Sequence, residues 1–318
     1  MDYAKKLAEE FSEKELYAQN IISLLDEGNT IPFIARYRKE MHGTMDDQLI
    51  RSISDRLSFL RKLDERREEI RAAISSQEKM TDEISAALEK AVTLTELEDI
   101  YRPFRPKRKT RASVAKEKGL EPLSNEILLC QSNNTDVMTL CEKYIDPEKG
   151  VNTAAEALCG AKDIIAESVS DNADVRRRVR NLVYLNGTVD CRAAGEEKSV
   201  YETYYDFSQA VGKIAGHRVL AINRGEKEGF LKVSVSVDSE RPLNAVYSMF
   251  VKGEGSCAAA VKEACEDAYS RLVFPSIERE IRNELTEKAD ESAIKVFGTN
   301  LRQLLLQPPI KGKTAIGL

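Results

Sequence analysis

Tryptophan is missing from this chain of 318 residues, and aromatics make up only 6% of it. That scarcity argues against a β-sandwich and against a sugar-binding groove, both of which depend on large rings. Histidine is nearly missing too: His42 and His217 stand far apart, and neither belongs to a ligand pair. The six cysteines, at positions 130, 141, 159, 191, 257 and 265, form no C-x-x-C pair. With no signal peptide ahead of them, they are expected to be reduced thiols in a cytoplasmic chain, serving as small buried apolar residues. No apolar run is long enough to span a bilayer. No P-loop, H-x-x-x-H pair or nucleophile elbow occurs. Gly253-x-Gly255 stands ahead of a helix, but the rest of a phosphate-binding fingerprint is lacking. The expectation is a chain without catalytic residues, metal or cofactor. Net charge is −5, so the chain is no polycation, and any contact with nucleic acid must come from local positive patches.

What is present is helix-forming material. The 318 residues are enough for two or three domains or one large helical unit, and with 42% hydrophobic and 32% charged residues they can bury a core and favour helix. Ser12-x-x-Glu15 reads as a capping box, followed by Leu16, Tyr17, Ile21, Leu24 and Leu25 at helical spacing and Gly28 at the C′ position. Thr30 caps the next helix, with Pro32 in its first turn. That placement puts Phe33 and Ile34 on a buried side, before His42-Gly43-Thr44 breaks the chain with His42 in the turn. Ile50, Ile53, Leu57, Leu60, Leu63, Ile70 and Ile74 make one apolar stripe on a helix over 46–76. Thr81, Thr93 and Thr153 open further helices, the last two with Glu three residues on. Short helices are expected at 111–118, 123–129 and 137–144, and longer ones at 153–168 and 172–186.

The texture changes near position 190. Tyr201, Tyr204, Tyr205 and Phe207 cluster, 217–224 reads as helix, and 230–237 alternates apolar and polar like a half-buried strand. Ser256 is expected to cap a helix that Pro275 interrupts, and a long helix follows from Ile277 to about Leu306. These elements give four parts: helical 1–200, a small mixed region at 201–255, long helices at 256–307, and 308–318. The last residues, Lys313-Thr-Ala-Ile-Gly-Leu318, read as the opening of a buried strand, as in a piece of a longer protein.

Two stretches set cations beside aromatics. Ile31-Pro-Phe-Ile-Ala-Arg-Tyr-Arg-Lys-Glu40 carries Arg36, Arg38 and Lys39 next to Tyr37. Tyr101-Arg-Pro-Phe-Arg-Pro-Lys-Arg-Lys-Thr-Arg111 carries Arg102, Arg105, Lys107, Arg108, Lys109 and Arg111 with no acid among them. Pro103 and Pro106 forbid regular helix there, so 102–110 is expected to be an extended, solvent-reaching loop whose cations follow a phosphate backbone. Tyr101 and Phe104 are placed to stack on bases, although Phe104 reads better as a core anchor. The alternative stays open that these arginines pair with acidic helices such as 65–69, and that Arg36 or Arg38 bridges to a neighbouring helix. Arg176, Arg177, Arg178 and Arg180 form a third basic cluster, read as a solvated helix face with Val175, Val179 and Leu182 turned inward. His217, alone beside Arg218, reads as structural.

The two basic stretches, together with Lys118-Gly-Leu-Glu-Pro-Leu123, Tyr204-Tyr-Asp-Phe207, His217-Arg218, Arg224-Gly-Glu226 and Asn300-Leu-Arg-Gln-Leu-Leu-Leu306, occur in an order and spacing that resemble the N-terminal region of the Tex family of bacterial transcription accessory proteins. Departures are small. Met41-His-Gly-Thr-Met45 replaces a more Gly-rich turn, and Gly216 stands where Ser often precedes His-Arg, which weakens a helix cap at 217. The resemblance implies a mainly α fold: a multi-helix N-terminal region with a helix-turn-helix-like portion, a small α/β insertion and a long C-terminal helix. It also implies that an RNase H-like domain follows from about Lys313. A helix-turn-helix would set Arg36, Arg38 and Lys39 on phosphates. The implied role is a scaffold and nucleic-acid-binding module with non-sequence-specific phosphate contacts to RNA or DNA, and with RNA polymerase or further domains of the same protein as partners. The rival is a protein–protein scaffold that touches no nucleic acid.

Overall fold

Residues 2–106, 108–132, 135–195 and 198–308 are described by a computed structural model of the chain. It is mainly helical and divides into two compact units, 1–106 and 107–318.

In the N-terminal unit the apolar stripe from Ile50 to Ile74 becomes a spine. Among the described residues this unit contains the α-helices α1 (Tyr3–Phe11), α2 (Glu15–Asp26), α3 (Ile31–Tyr37), α4 (Lys39–His42), α5 (Asp47–Ser75), α6 (Asp82–Lys90) and α7 (Leu94–Tyr101). Asp46 caps α5 by accepting the Leu49 N–H. One half of the α5 stripe, with Ile53 and Leu60, packs against Leu7, Ile21 and Ile34 from α1, α2 and α3. The other half, Leu63, Ile70 and Ile74, packs against Leu88 and Leu97 from α6 and α7. Each such side chain contributes roughly 1.5–3 kcal/mol on burial. Thr81 and Thr93 cap α6 and α7 as their spacing predicts.

Ser12 is not the N-cap of α2. It closes α1 in the left-handed region at φ 56°, its N–H bonded to the Ala8 carbonyl, and α2 begins at Glu15 behind Lys14. An N-cap needs extended backbone, so one residue cannot serve as both. Gly28, at φ +82°, ends α2 as expected, with Asn29 N–H on Leu24 O at 3.1 Å and Gly28 N–H on Leu25 O at 3.0 Å.

The C-terminal unit contains α8 (Arg111–Glu117), α9 (Glu121–Leu129), α10 (Val137–Glu142), α11 (Ala154–Asp171) and α12 (Ala173–Asn186), then β1 (Thr188–Ala193), β2 (Asp206–Ala210), α13 (Gly216–Lys227) and β3 (Leu231–Ser236), then α14 (Glu240–Phe250), α15 (Ser256–Asp267) and α16 (Phe274–Leu305). Its core runs through Leu123, Ala161, Ile165, Val179, Val261, Ala264, Ile277 and Ile281. The strands form an antiparallel sheet in the order β2-β1-β3. Cys191 lies opposite Phe207 on one side and Val233 on the other. Val189 and Cys191 turn to the buried face, whereas Asp190 accepts the Ser208 hydroxyl at 2.6 Å on the other face. Only β3 carries a legible alternation in the sequence; β1 and β2 do not.

Two expectations about the long helices need correction. Pro275 does not interrupt the rod: a π-helical turn, Ala268–Val273, joins α15 to α16 just before it. Such a turn widens the winding where proline lacks the N–H of a regular helix. Ser256 does not cap α15, because Gly255 holds that position. The Ser256 hydroxyl instead accepts the Val137 N–H at 2.9 Å and donates to Thr135 O at 3.2 Å, tying the start of α10 to α15.

Gly253 is explained by packing and not by a ligand. A Cβ there would lie 2.3 Å from the Gln131 carbonyl oxygen. The Gln131 side chain fills the turn, donating to Phe250 O at 2.9 Å and accepting the Lys252 N–H at 2.8 Å. Gly253→Ala is expected to destabilise this unit by about 1–3 kcal/mol, because backbone must shift to make room. Urea denaturation monitored by circular dichroism would show it; an unchanged midpoint would mean that the turn yields freely.

Candidate nucleic-acid interface

The first basic stretch is built around one buried residue. Thr30 and Pro32 start α3, and Ile34, fully buried, docks it into the core. His42 is buried, not in an open turn as the sequence implied: it is 1% exposed, and its Nε2 lies 3.0 Å from Ile34 O. That nitrogen must carry the proton and donate, which folds α4 back onto α3. Asn20 Nδ2 donates to Met41 O at 2.8 Å, fixing the same turn to α2.

The other side of α3 faces solvent. Phe33, expected inside, is 36% exposed, and Tyr37 is 66% exposed. Four residues apart, the two rings share a face with centroids 5.4 Å apart and planes tilted by 42°. The Arg38 guanidinium lies over the Phe33 ring at 5.6 Å and sits 4.0 Å from Glu40. Arg36 and Lys39 are exposed and have no ion-pair partner among the described residues. The signal that was available for Phe33 is that Ile34 alone satisfies the inward position of so short a helix.

The second basic stretch crosses the boundary between the two units. Arg102 and Arg105 belong to the N-terminal unit; Arg108, Lys109 and Arg111 belong to the C-terminal one. Lys107 lies outside the described residues. The expected extended loop is partly helical, because Arg102–Phe104 winds on from α7 as one 3-10 turn that tolerates Pro103 in its first positions. Phe104 is a core anchor, half-buried beside α5 and α7 residues, and its carbonyl accepts Gln77 Nε2 at 2.8 Å. Tyr101 packs into the same cluster, with Arg66 5.7 Å from its ring centroid, so both rings are half-buried.

Two acids in the 65–69 run of α5 are engaged by arginines of their own helix: Glu69 by Arg66 at 2.6 Å, and Glu68 by Arg71 at 3.3 Å. Arg105 and Arg108 are exposed and unpaired by acids among the described residues. Lys109 reaches Glu117 at 3.4 Å with both side chains well exposed, an arrangement of little energetic worth. Arg111 opens α8 behind Thr110, whose hydroxyl caps Ser113 and bonds Glu167 at 3.0 Å. A cation on the first residue of a helix opposes its dipole. Arg111 lies in the field of Asp267, whose carboxyl is held below its usual range first by hydrogen bonds from Arg271 and to a lesser degree by Arg111.

The third cluster is not the solvated face it resembled. Arg177 and Arg178 are exposed, but Arg176 is 0% exposed and bonds Glu280 and Ser276, and Arg180 reaches Glu280 at 2.7 Å. His217 lies exposed in the first turn of α13. Gly216 before it meets α16, since a Cβ there would stand 3.2 Å from Ala289 Cα. Among the described residues no group of three or more His, Cys, Asp or Glu side chains is arranged to hold a metal ion. No helix among them is long and apolar enough to cross a membrane.

Comparison with known proteins agrees with this architecture. Residues 132–297 match the family described as Tex central region-like, and residues 1–75 match the Tex-like protein N-terminal domain. An uncharacterized protein YdcI of Bacillus subtilis is 44% identical over 99% of this chain and 44% of its own length. The transcriptional accessory protein Tex of Neisseria gonorrhoeae is 32% identical over 100% of this chain and 43% of its own length. The human S1 RNA-binding domain-containing protein 1 is 29% identical over 100% of this chain and 33% of its own length. The chain thus spans less than half the length of these relatives.

Proposed function

The chain belongs to the Tex family, and from that premise we propose that it serves a transcription accessory protein as an N-terminal scaffold that touches RNA or DNA through phosphates. One observation carries this reading. In a chain of net charge −5, Arg36, Lys39, Arg105 and Arg108 stand exposed without acidic partners among the described residues. The remaining proposed contacts are Arg38, Arg102, Lys107, Lys109 and Arg111. Cations with no internal partner are free to displace the counterions of a phosphate backbone, and no base-reading side chain is required. The names of two relatives, one a transcriptional accessory protein and one an S1 RNA-binding domain-containing protein, point the same way.

Fluorescence anisotropy with labelled single-stranded RNA and duplex DNA, across a salt series, tests the proposal. Affinity is expected to fall with salt, with a log–log slope of about −0.7 per phosphate contacted on a single strand. Two variants, one with Arg36, Arg38 and Lys39 changed to Glu and one with Arg105, Lys107, Arg108 and Arg111 changed to Glu, are expected to bind more weakly and with shallower slopes. An unchanged slope in both would remove these cations from the contact.

A second reading is favoured by the far end of α16, where Ile294, Phe297, Leu301, Leu304 and Leu305 are exposed at helical spacing. Such a stripe suits a protein scaffold, whether for transcription machinery such as RNA polymerase or for the additional length seen in the relatives. No binding at low salt by the folded wild-type chain would favour it.

A further inference from the structure

From the far end of α16 we infer that this chain pairs with a second copy of itself, the two helix ends lying antiparallel with their apolar stripes face to face. The inference rests on the second reading above and names its partner; it is independent of the phosphate contacts. Ala289 is the last buried residue of α16, and every residue from Asp290 to Leu306 is exposed. Roughly 24 Å of helix thus stands without packing. A helix of that length is marginal in water unless one face is covered. Ile294, Phe297, Leu301 and Leu304 follow one another at spacings of three, four and three, the pattern of a coiled-coil seam. Ile294 is 70% exposed, Phe297 67% and Leu304 62%.

Charge sets the direction. Glu284, Glu287, Asp290 and Glu291 precede the stripe, with Lys288 bonded to Glu284, whereas Lys295 and Arg302 are the charged residues within it. Parallel copies would set acids beside acids and cations beside cations. Antiparallel copies bring the acidic end of each to the cationic end of the other. The pattern also sets the register. All four stripe residues are covered when Ile294 faces Leu304 of the second copy and Phe297 faces Leu301 of the second copy. A slip of one heptad would set Leu301 against Asp290. In the favoured register the seam is flanked by Gly298 and Asn300, small and uncharged on both copies. Glycine weakens a helix that stands alone, and a Cβ at Gly298 would meet no other part of the described chain within 4 Å. Close approach of a second helix gives that glycine a use. A lipid surface fits less well, because the polar face lacks the run of cations that interfacial helices carry. A two-fold pairing of this kind closes at two copies.

So short a seam belongs with weak contacts, so the test is sedimentation velocity on this chain over a series from about 1 to 200 μM. The mass is expected to rise with concentration from that of one chain towards twice that value. Phe297→Asp combined with Leu301→Asp is expected to weaken the association by about 100-fold or more, leaving a single chain throughout. Both side chains are exposed in one copy, and circular dichroism verifies that the variant folds. Direction is read by cross-linking. Mild oxidation of an equal mixture of Ala293→Cys and Gln307→Cys chains is expected to join one to the other, and Ala293→Cys alone is expected to give no more than the wild-type background set by the exposed Cys159. Ala293→Cys chains that join to each other would overturn the antiparallel arrangement. A dimer that survives the double aspartate variant would place the contact elsewhere and overturn the seam. A single-chain mass at every concentration would overturn the pairing outright, while the second reading would still stand or fall by its own test, oligonucleotide binding at low salt.

Discussion

Glu280→Ala is expected to destabilise the C-terminal unit by about 3–5 kcal/mol. Glu280 lies on α16 and receives Arg176 and Arg180, both from α12. Arg176 is 0% exposed, and Ser276 is its further partner at 3.2 Å. Removing the carboxylate takes from a buried guanidinium its acidic partner on α16, and that desolvation outweighs anything the smaller side chain regains. The double variant Arg176→Met with Glu280→Gln removes the stranded charge and is expected to recover much of the loss. Urea denaturation gives the size of the effect. Hydrogen exchange over 173–186 and 274–290 locates it. A cost below about 1 kcal/mol would mean that the pair behaves like a surface ion pair and that α12 and α16 are held by apolar packing alone.

The same group predicts an acid response. Burial pushes the Glu280 carboxyl upward, but the charge of Arg176, then the bond and charge of Arg180 and the Ser276 hydroxyl, outweigh it and hold the carboxyl below its ordinary 4.5. A carboxyl depressed by folding stabilises the fold above the unfolded value and loses that contribution as pH falls through the folded one. Wild-type stability attributable to Glu280 is therefore intact above about pH 4.5 and declines below it, and Glu280→Gln should flatten that decline.

Periodicity made the helices legible. The α5 stripe, the caps at Thr81, Thr93 and Thr153, and the end at Gly28 all follow from local chemistry that tertiary packing did not override. The sheet was less legible because β1 and β2 are short and interrupted by polar residues: Asp190 and Ser208 on the outer face, and Gln209 opposite Val189 on the inner one, break up any apolar run. Charge was least legible. Four arginines within 176–180 look alike in sequence, yet the helical turn sends Arg176 inward and leaves Arg177 and Arg178 outside. The basic stretch at 102–111 was legible as composition but not as shape, since whether an arginine finds an acid depends on residues far away in the chain. At α3 the cations were visible. The exposed ring pair was not, because a seven-residue helix can bury only a narrow strip and sequence spacing does not say which.

Arg67 is the case in which sequence held a readable clue, and Arg67→Ala is expected to cost the N-terminal unit about 3–5 kcal/mol. The α5 stripe advances by three and four residues up to Leu63 and resumes at Ile70, and the position that keeps the spacing between them is 67. An arginine there reads as one more charge in a charged helix. It is 4% exposed instead. Its Nε donates to Leu88 O at 2.9 Å and its Nη2 to Ala91 O at 3.0 Å, while Nη1 pairs with Asp64. These carbonyls lie at and just past the end of α6, where intrahelical donors run out. The N–H of Val92, which would continue the helix to Leu88, bonds the Glu96 carboxylate instead. Arg67 thus satisfies a helix terminus from inside the core, and Asp64 in turn accepts the Tyr3 hydroxyl at 2.9 Å, linking α1 to the same node. Alanine strands the Leu88 and Ala91 carbonyls together and takes from Asp64 its pair with Arg67, so the loss should exceed that of a simple cavity. Arg67→Lys keeps the charge but cannot fork to both carbonyls, and should fall between wild type and alanine. Hydrogen exchange should quicken across 82–101 in both variants, with the order Ala, Lys, wild type. An Arg67→Lys protein as stable as wild type would show that charge, and not the fork, holds α6 against α5.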